Sequence, residues 1–168
     1  MNDNLYLLLR RHFPADPKAP WLVTPDGDIW YYSDIDDVTG HYAGALRSLG
    51  LQAGERLLAQ VDKSPEVLLL YLATLRLGAI FVPLNTAYTP TELAYFLNDA
   101  KPRIFVVAPE NASALQESAS AARATLLTLG SNGEGTLIDA VAEADPYTPV
   151  VELGADDVAS IIYTSGTT

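Results

Sequence analysis

Five short runs of nearly unbroken apolar character recur along this chain: ERLLAQV, AIFVPL, RIFVVA, ATLLTL and VASIIYT. Between successive runs lie stretches whose apolar residues return at helical spacing. A strand that is apolar on both sides must be covered on both sides, so the pattern predicts an α/β fold: a mostly parallel sheet with helices on both faces. The helices carry their own start and stop signals. Ser64-Pro65 caps a helix that reaches Leu77 and stops at Gly78. Thr89 and Glu92 form a capping box around Pro90 for the helix in TPTELAYFLNDA, and residues 111–122 and 136–144 read as two more.

Ahead of this alternation, residues 21–24 and 29–32 flank PDGD, a tight turn with Gly27 free to take positive φ, and together they predict an N-terminal β-hairpin. Ser33 is then expected to cap a helix with Ile35, Val38, Tyr42, Leu46 and Leu49 on one face and Gly50 as its stop. SNGEG and EADPYTPVVELGADD carry the turn residues of surface loops.

At 168 residues the chain has the size of one ordinary domain, enough to bury about 70% of its unfolded surface. Ten Lys+Arg against 21 Asp+Glu leave a net charge of -11, which repels a phosphodiester backbone and argues against nucleic acid as a partner. It also disfavours ATP unless a metal ion and local donors offset it. The absence of cysteine excludes disulfides, thiolate nucleophiles and zinc-thiolate sites, and fits a cytoplasmic location. The N-terminus, MNDNLYLLLRRHF, has its basic residues after the apolar run, the reverse of a secretory signal, and reads as a short amphipathic helix. EVLLLYLATLRLGAIFVP is interrupted by Arg76, Gly78 and Pro83 and is too short to cross a bilayer, so no membrane span is expected.

The last apolar run delivers TSGTT to the carboxyl edge of the predicted sheet, where open α/β folds gather their ligands. Four hydroxyl residues surround Gly166, which lets a ligand approach the backbone. Successive N–H groups with Ser and Thr hydroxyls make a concavity suited to phosphate oxygens. By itself the pentapeptide reads as a polar surface turn, and it is not a P-loop, since it has one glycine and no lysine. Asp34, Asp36 and Asp37 complement a helix dipole rather than form a metal site. Asp156 and Asp157 read as loop charges. His12 and His41 lack a partner arranged for nucleophilic chemistry. Residues 85–89, NTAYT, form a possible pocket wall whose default role is to turn the chain and cap the next helix.

IIYTSGTT is similar to the start of the phosphate-binding signature of the adenylate-forming enzymes, the acyl-CoA synthetase and luciferase-like superfamily, whose motif continues with a glycine and then a lysine. YYSDIDDVTGHYAGALRSLGLQAGERLLAQV and YLATLRLGAIFVPLNTAYTPTELAYFLNDAKPRIFVV resemble that family's opening sections in the same order. Within it, PLNTAYT, DKSPEVLLLYLATLRLGA and GADDVASIIYTSGTT look closest to malonyl-CoA synthetases, although many relatives carry proline where Thr86 stands. The resemblance implies that residues 1–168 are part of a large N-terminal AMP-binding domain, cut inside its phosphate loop. It implies a carboxylate:CoA ligase that uses ATP, Mg2+ and CoA, with malonate as the acid. Thr164, Ser165, Gly166, Thr167 and Thr168 would contact the β- and γ-phosphates, and no catalytic residue falls within the chain. The alternative is a non-catalytic truncated paralogue or interaction module that kept the sheet. Two or three charge-assisted bonds contribute about 1.5 to 3 kcal/mol each, whereas ordering five loose residues costs about 1 to 2 kcal/mol each. The 168-residue chain alone is therefore expected to be inactive.

Overall fold

The computed structural model describes residues 2–164. The amphipathic N-terminus forms α1 (Leu5–Arg10), capped by the Asn4 side chain accepting from the Tyr6 N–H. The hairpin follows, with β1 (Pro20–Val23) antiparallel to β2 (Ile29–Tyr31) and Gly27 at φ 93° in its turn. The next cap differs from expectation. A single 3₁₀ turn, Tyr32–Asp34, leads into α2 (Ile35–Ser48). That turn already directs the Ile35 N–H to the Tyr32 carbonyl, so the Ser33 hydroxyl bonds the Asp34 carboxylate instead of capping the helix.

The repeating units then appear in chain order: β3 (Arg56–Gln60), α3 (Pro65–Arg76), β4 (Ile80–Pro83), α4 (Pro90–Ala100), β5 (Ile104–Val107), α5 (Ala112–Ala121), β6 (Thr125–Thr128) and α6 (Thr136–Glu143). The four strands make one parallel sheet in the order β4-β3-β5-β6. Alternate side chains divide between two cores. Leu57, Ala59, Phe81, Ile104, Val106 and Leu127 pack with α2 and α3, whereas Leu58, Val82, Phe105 and Val107 pack beneath α4 and α5. Helices therefore cover both faces, as continuous apolar strands require. The Ser64 cap and the Thr89–Glu92 capping box form as expected.

The fifth apolar run does not become a full strand. Residues 158–164 meet the outer edge of β4 in a single parallel bridge, Phe81 with Ser160. Its two bonds run from the Phe81 N–H to the Ala159 carbonyl and from the Ile161 N–H to the Phe81 carbonyl. In that register the next donor is residue 83, and Pro83 has no N–H to give.

A strap carries the chain from α6 back to that edge. The Tyr147 N–H bonds the Gly40 carbonyl at 2.9 Å, and the Arg47 guanidinium lies 4.7 Å from the Tyr147 ring centroid. Gly44 lets the strap cross α2 closely, because a Cβ there would lie 2.0 Å from the Asp145 carbonyl oxygen. Arg76, buried at the end of α3, donates from Nε to the Pro149 carbonyl and from Nη2 to the Thr148 carbonyl. Its Nη1 reaches the Asp36 carbonyl and the Thr39 hydroxyl. The buried Asn4 amide closes the strap onto α3 by donating to the carbonyls of Leu75 (2.9 Å) and Val151 (3.0 Å).

Candidate functional site

Crossovers run from β3 outward to β4 and from β5 outward to β6, so the sheet's topological switch lies between β3 and β5, and the carboxyl ends of these strands are where such a fold receives a ligand. A cavity of about 450 Å³ opens at the ends of β3 and β4, lined by Val61, Asp62, Lys63, Leu84, Asn85 and Thr86. Of residues 85–89, Asn85 and Thr86 form part of its wall, and the loop also performs its default role. The Asn85 side chain accepts from the Ala87 N–H at 2.9 Å, the Tyr88 N–H returns to the Asn85 carbonyl, and Thr89 caps α4.

Gln60 fixes this wall from beneath. It is the last residue of β3, buried on the α4 side, and its amide donates to the carbonyls of Asn85 (3.1 Å), Thr86 (3.4 Å) and Tyr88 (3.0 Å). A buried amide with its hydrogens so occupied costs little and sets the loop in place. Sequence reading passed over Gln60. The available signal was a lone amide ending an otherwise apolar strand.

The terminal segment runs parallel to β4 towards the same carboxyl edge. There the half-buried Tyr163 ring packs against Phe96 of α4 at a centroid distance of 4.5 Å, and Phe96 in turn meets Tyr88 at 4.8 Å. The Tyr163 hydroxyl donates to Asp99 Oδ2 at 2.6 Å. Burial, followed by the Asp99 hydrogen bond and charge, pushes the phenol up to about 12. Neither Tyr163 nor Asp99 was picked out by sequence reading, because the two lie 64 residues apart.

Thr164 follows directly and is exposed. Ser165, Gly166, Thr167 and Thr168, the other expected phosphate ligands, lie outside the described residues. Among the described residues, no group of three His, Cys, Asp or Glu could hold a metal ion. Asp36 instead pairs with Arg10 and accepts from the Tyr6 hydroxyl, which agrees with a structural role for the acids opening α2. His41 Nδ1 lies 3.0 Å from the Ala144 carbonyl at the start of the strap, again a structural position. His12 lines a separate cavity of about 490 Å³ between α1, the hairpin and α3, walled by Phe13, Trp21, Tyr32 and Tyr71. Its lining is largely apolar and includes no residue of the parallel sheet, so it does not suit a polyanion. Among the described residues, no helix is long and apolar enough to cross a membrane.

The profile of the AMP-binding enzyme family matches residues 9–168. Among curated proteins, the long-chain-fatty-acid–CoA ligase FadD13 of Mycobacterium tuberculosis is 27% identical over 98% of this chain and 33% of its own length. Among solved structures, apo MatB from Rhodopseudomonas palustris superposes with a TM-score of 0.94 and 43% identity, covering 100% of this chain and 33% of that one. ATP-bound MatB from the same organism gives a TM-score of 0.94 at 44% identity, with the same coverage of both chains. The chain thus spans about a third of the length of these relatives.

Proposed function

This chain belongs to the AMP-binding enzyme family, and on that premise we propose that residues 1–168 are the N-terminal part of an ATP-dependent carboxylate:CoA ligase whose acid is malonate. The observation that carries the reading is the 43% identity, along the whole chain, to MatB, beside the resemblance of PLNTAYT, DKSPEVLLLYLATLRLGA and GADDVASIIYTSGTT to malonyl-CoA synthetases. FadD13, a fatty-acid ligase, reaches 27% over nearly the same span. The sequence ATP would meet, TSGTT, begins where Tyr163 leaves the edge of β4, and the likeness to an ATP-bound MatB supports ATP as the nucleotide.

In the proposed reaction a carboxylate oxygen attacks the α-phosphorus of ATP, the bond to the bridging oxygen breaks, and pyrophosphate leaves an acyl adenylate. The CoA sulfur then attacks the acyl carbon, the thiol proton is released, and AMP departs. The hydroxyls of Thr164, Ser165, Thr167 and Thr168, with the loop N–H groups around Gly166, donate to the β- and γ-phosphate oxygens. Such donors stabilise the charge that moves onto pyrophosphate and hold the chain of phosphates for in-line attack. A protein of net charge -11 needs them, because its long-range field opposes ATP. Magnesium bound to ATP would neutralise part of the phosphate charge. The described residues supply no metal site of their own.

Two measurements test this reading. In the full-length protein, ATP–pyrophosphate exchange is expected to depend on malonate. Exchange with another carboxylate but not with malonate overturns the choice of acid, and no exchange with any carboxylate overturns the ligase. For the 168-residue chain alone, calorimetry should detect no saturable MgATP binding below millimolar concentration. Saturable binding there overturns the view that loop ordering cancels the gain from phosphate contacts.

A further inference from the structure

Only two backbone hydrogen bonds tie residues 159–161 to β4, and Pro83 withholds the next donor. Backbone pairing therefore does not fix where the chain goes after Ile161. Two residues later, Tyr163 makes two contacts with one helix: its ring packs on Phe96 at 4.5 Å, and its hydroxyl donates to Asp99 Oδ2 at 2.6 Å. Phe96 and Asp99 are three positions apart on α4, so they stand on adjacent turns of one face and grip both parts of the side chain. The helix itself is rigidly placed, with its N-terminus fixed by the Thr89–Glu92 capping box and Leu93, Leu97 and Ala100 buried in the core.

We propose that Asp99 and Tyr163 form a latch, in which α4 sets the position and direction of the chain as it enters the TSGTT loop, making both of them positioning residues for ATP. The inference rests on the proposed phosphate role of that loop. An amide or hydroxyl displaced by about an ångström loses its hydrogen bond to a phosphate oxygen, so a contact that touches no substrate still governs nucleotide affinity. The aromatic contact supplies hydrophobic placement, and the charge-assisted hydrogen bond supplies orientation.

The test uses the full-length protein with Tyr163→Phe, Asp99→Ala, Asp99→Asn and the Tyr163→Phe/Asp99→Ala pair. Tyr163→Phe keeps the ring contact and removes only the hydroxyl. We expect KM for MgATP in ATP–pyrophosphate exchange to rise about fivefold in Tyr163→Phe and Asp99→Ala. The double variant should rise no further, and Asp99→Asn, which still accepts from the phenol, should recover most of the loss. Thioester formation from preformed acyl adenylate should be untouched. An unchanged KM, additive losses in the pair, or equal losses in both half-reactions overturns the latch. Hydrogen exchange of the 159–164 backbone without nucleotide gives a second readout, independent of catalysis. Faster exchange in both single variants supports the latch, and unchanged exchange overturns it. Absence of ATP–pyrophosphate exchange in the unsubstituted protein refutes the ligase reading instead, and the exchange protection then decides the latch alone.

Discussion

Arg76 shows how much one buried side chain can organise. Four of its N–H groups are spent on three carbonyls and one hydroxyl drawn from α2 and the strap, and its guanidinium lies 5.4 Å from the Tyr6 ring centroid. Arg76→Ala would remove a buried donor that these acceptors share, and unfolding in urea should show a loss of about 3 kcal/mol. Arg76→Lys should recover only part of this, because an ammonium cannot reproduce the planar fork. Tyr6 and Tyr42 lead to a pH prediction. Burial, with the Asp36 hydrogen bond second, pushes the Tyr6 phenol up to about 12, and burial followed by the Glu66 charge raises Tyr42 as well. The unfolded chain releases these protons near pH 10, before the folded one does. Their contribution is therefore full below pH 10 and is lost as pH rises towards and through the folded values. Unfolding measured from pH 8 to 12 should show this decline, and Tyr6→Phe should flatten it. The sequence showed Arg76 only as a charge interrupting an apolar helix. Its strap partners lie 72 and 73 residues away, a separation that no local pattern reports.

Among the elements, α4 joins the cavity wall to the terminal segment. The Thr89 backbone N–H and hydroxyl both donate to Glu92, each at 2.8 Å, holding that carboxyl below its usual value. A lowered carboxylate stabilises above its unfolded range, and the contribution is lost as pH falls through the folded value. Thr89→Ala should cost about 1 kcal/mol and reduce the acid sensitivity of thermal unfolding. Pro83 provides a complementary test. Pro83→Val restores an N–H aimed at the Ile161 carbonyl, and hydrogen exchange should find that new amide protected. Capping signals, turn glycines and apolar runs made most elements legible, because each is decided by a few neighbouring residues. The fifth strand was not, since its length is set by a proline in another strand. Ser33 misled for a local reason: a hydroxyl beside a helix start also fits a 3₁₀ entry.

At the scale of the molecule, β4 is, among the described residues, a sheet edge with little cover. Its outer side meets one bridge, and Ile162 just beyond is 70% exposed. Such an edge invites pairing with another chain. The 168-residue chain should therefore associate as its concentration rises, and sedimentation velocity showing a monomer throughout would contradict this. The two-faced parallel sheet could be read from the sequence because burial on both sides forces continuous apolar runs. The site was less legible. Thr164 could be placed at the carboxyl edge by strand order alone, whereas Gln60, Asp99 and Tyr163 acquire their roles from contacts between separate helices, strands and loops.

The Asn4 amide that fastens the strap has a consequence for how the protein is made. Its acceptor on Val151 lies 147 residues further along the chain. At ribosomal speeds of roughly 5–20 residues per second, Asn4 waits about 7 to 30 s after synthesis before that acceptor exists. The β3 to β6 units close their contacts over much shorter spans and can assemble meanwhile. The Asn4 joint thus closes later than the strand pairings of the sheet, and the strap leading to residues 158–164 gains its full support only when Asn4 meets Val151.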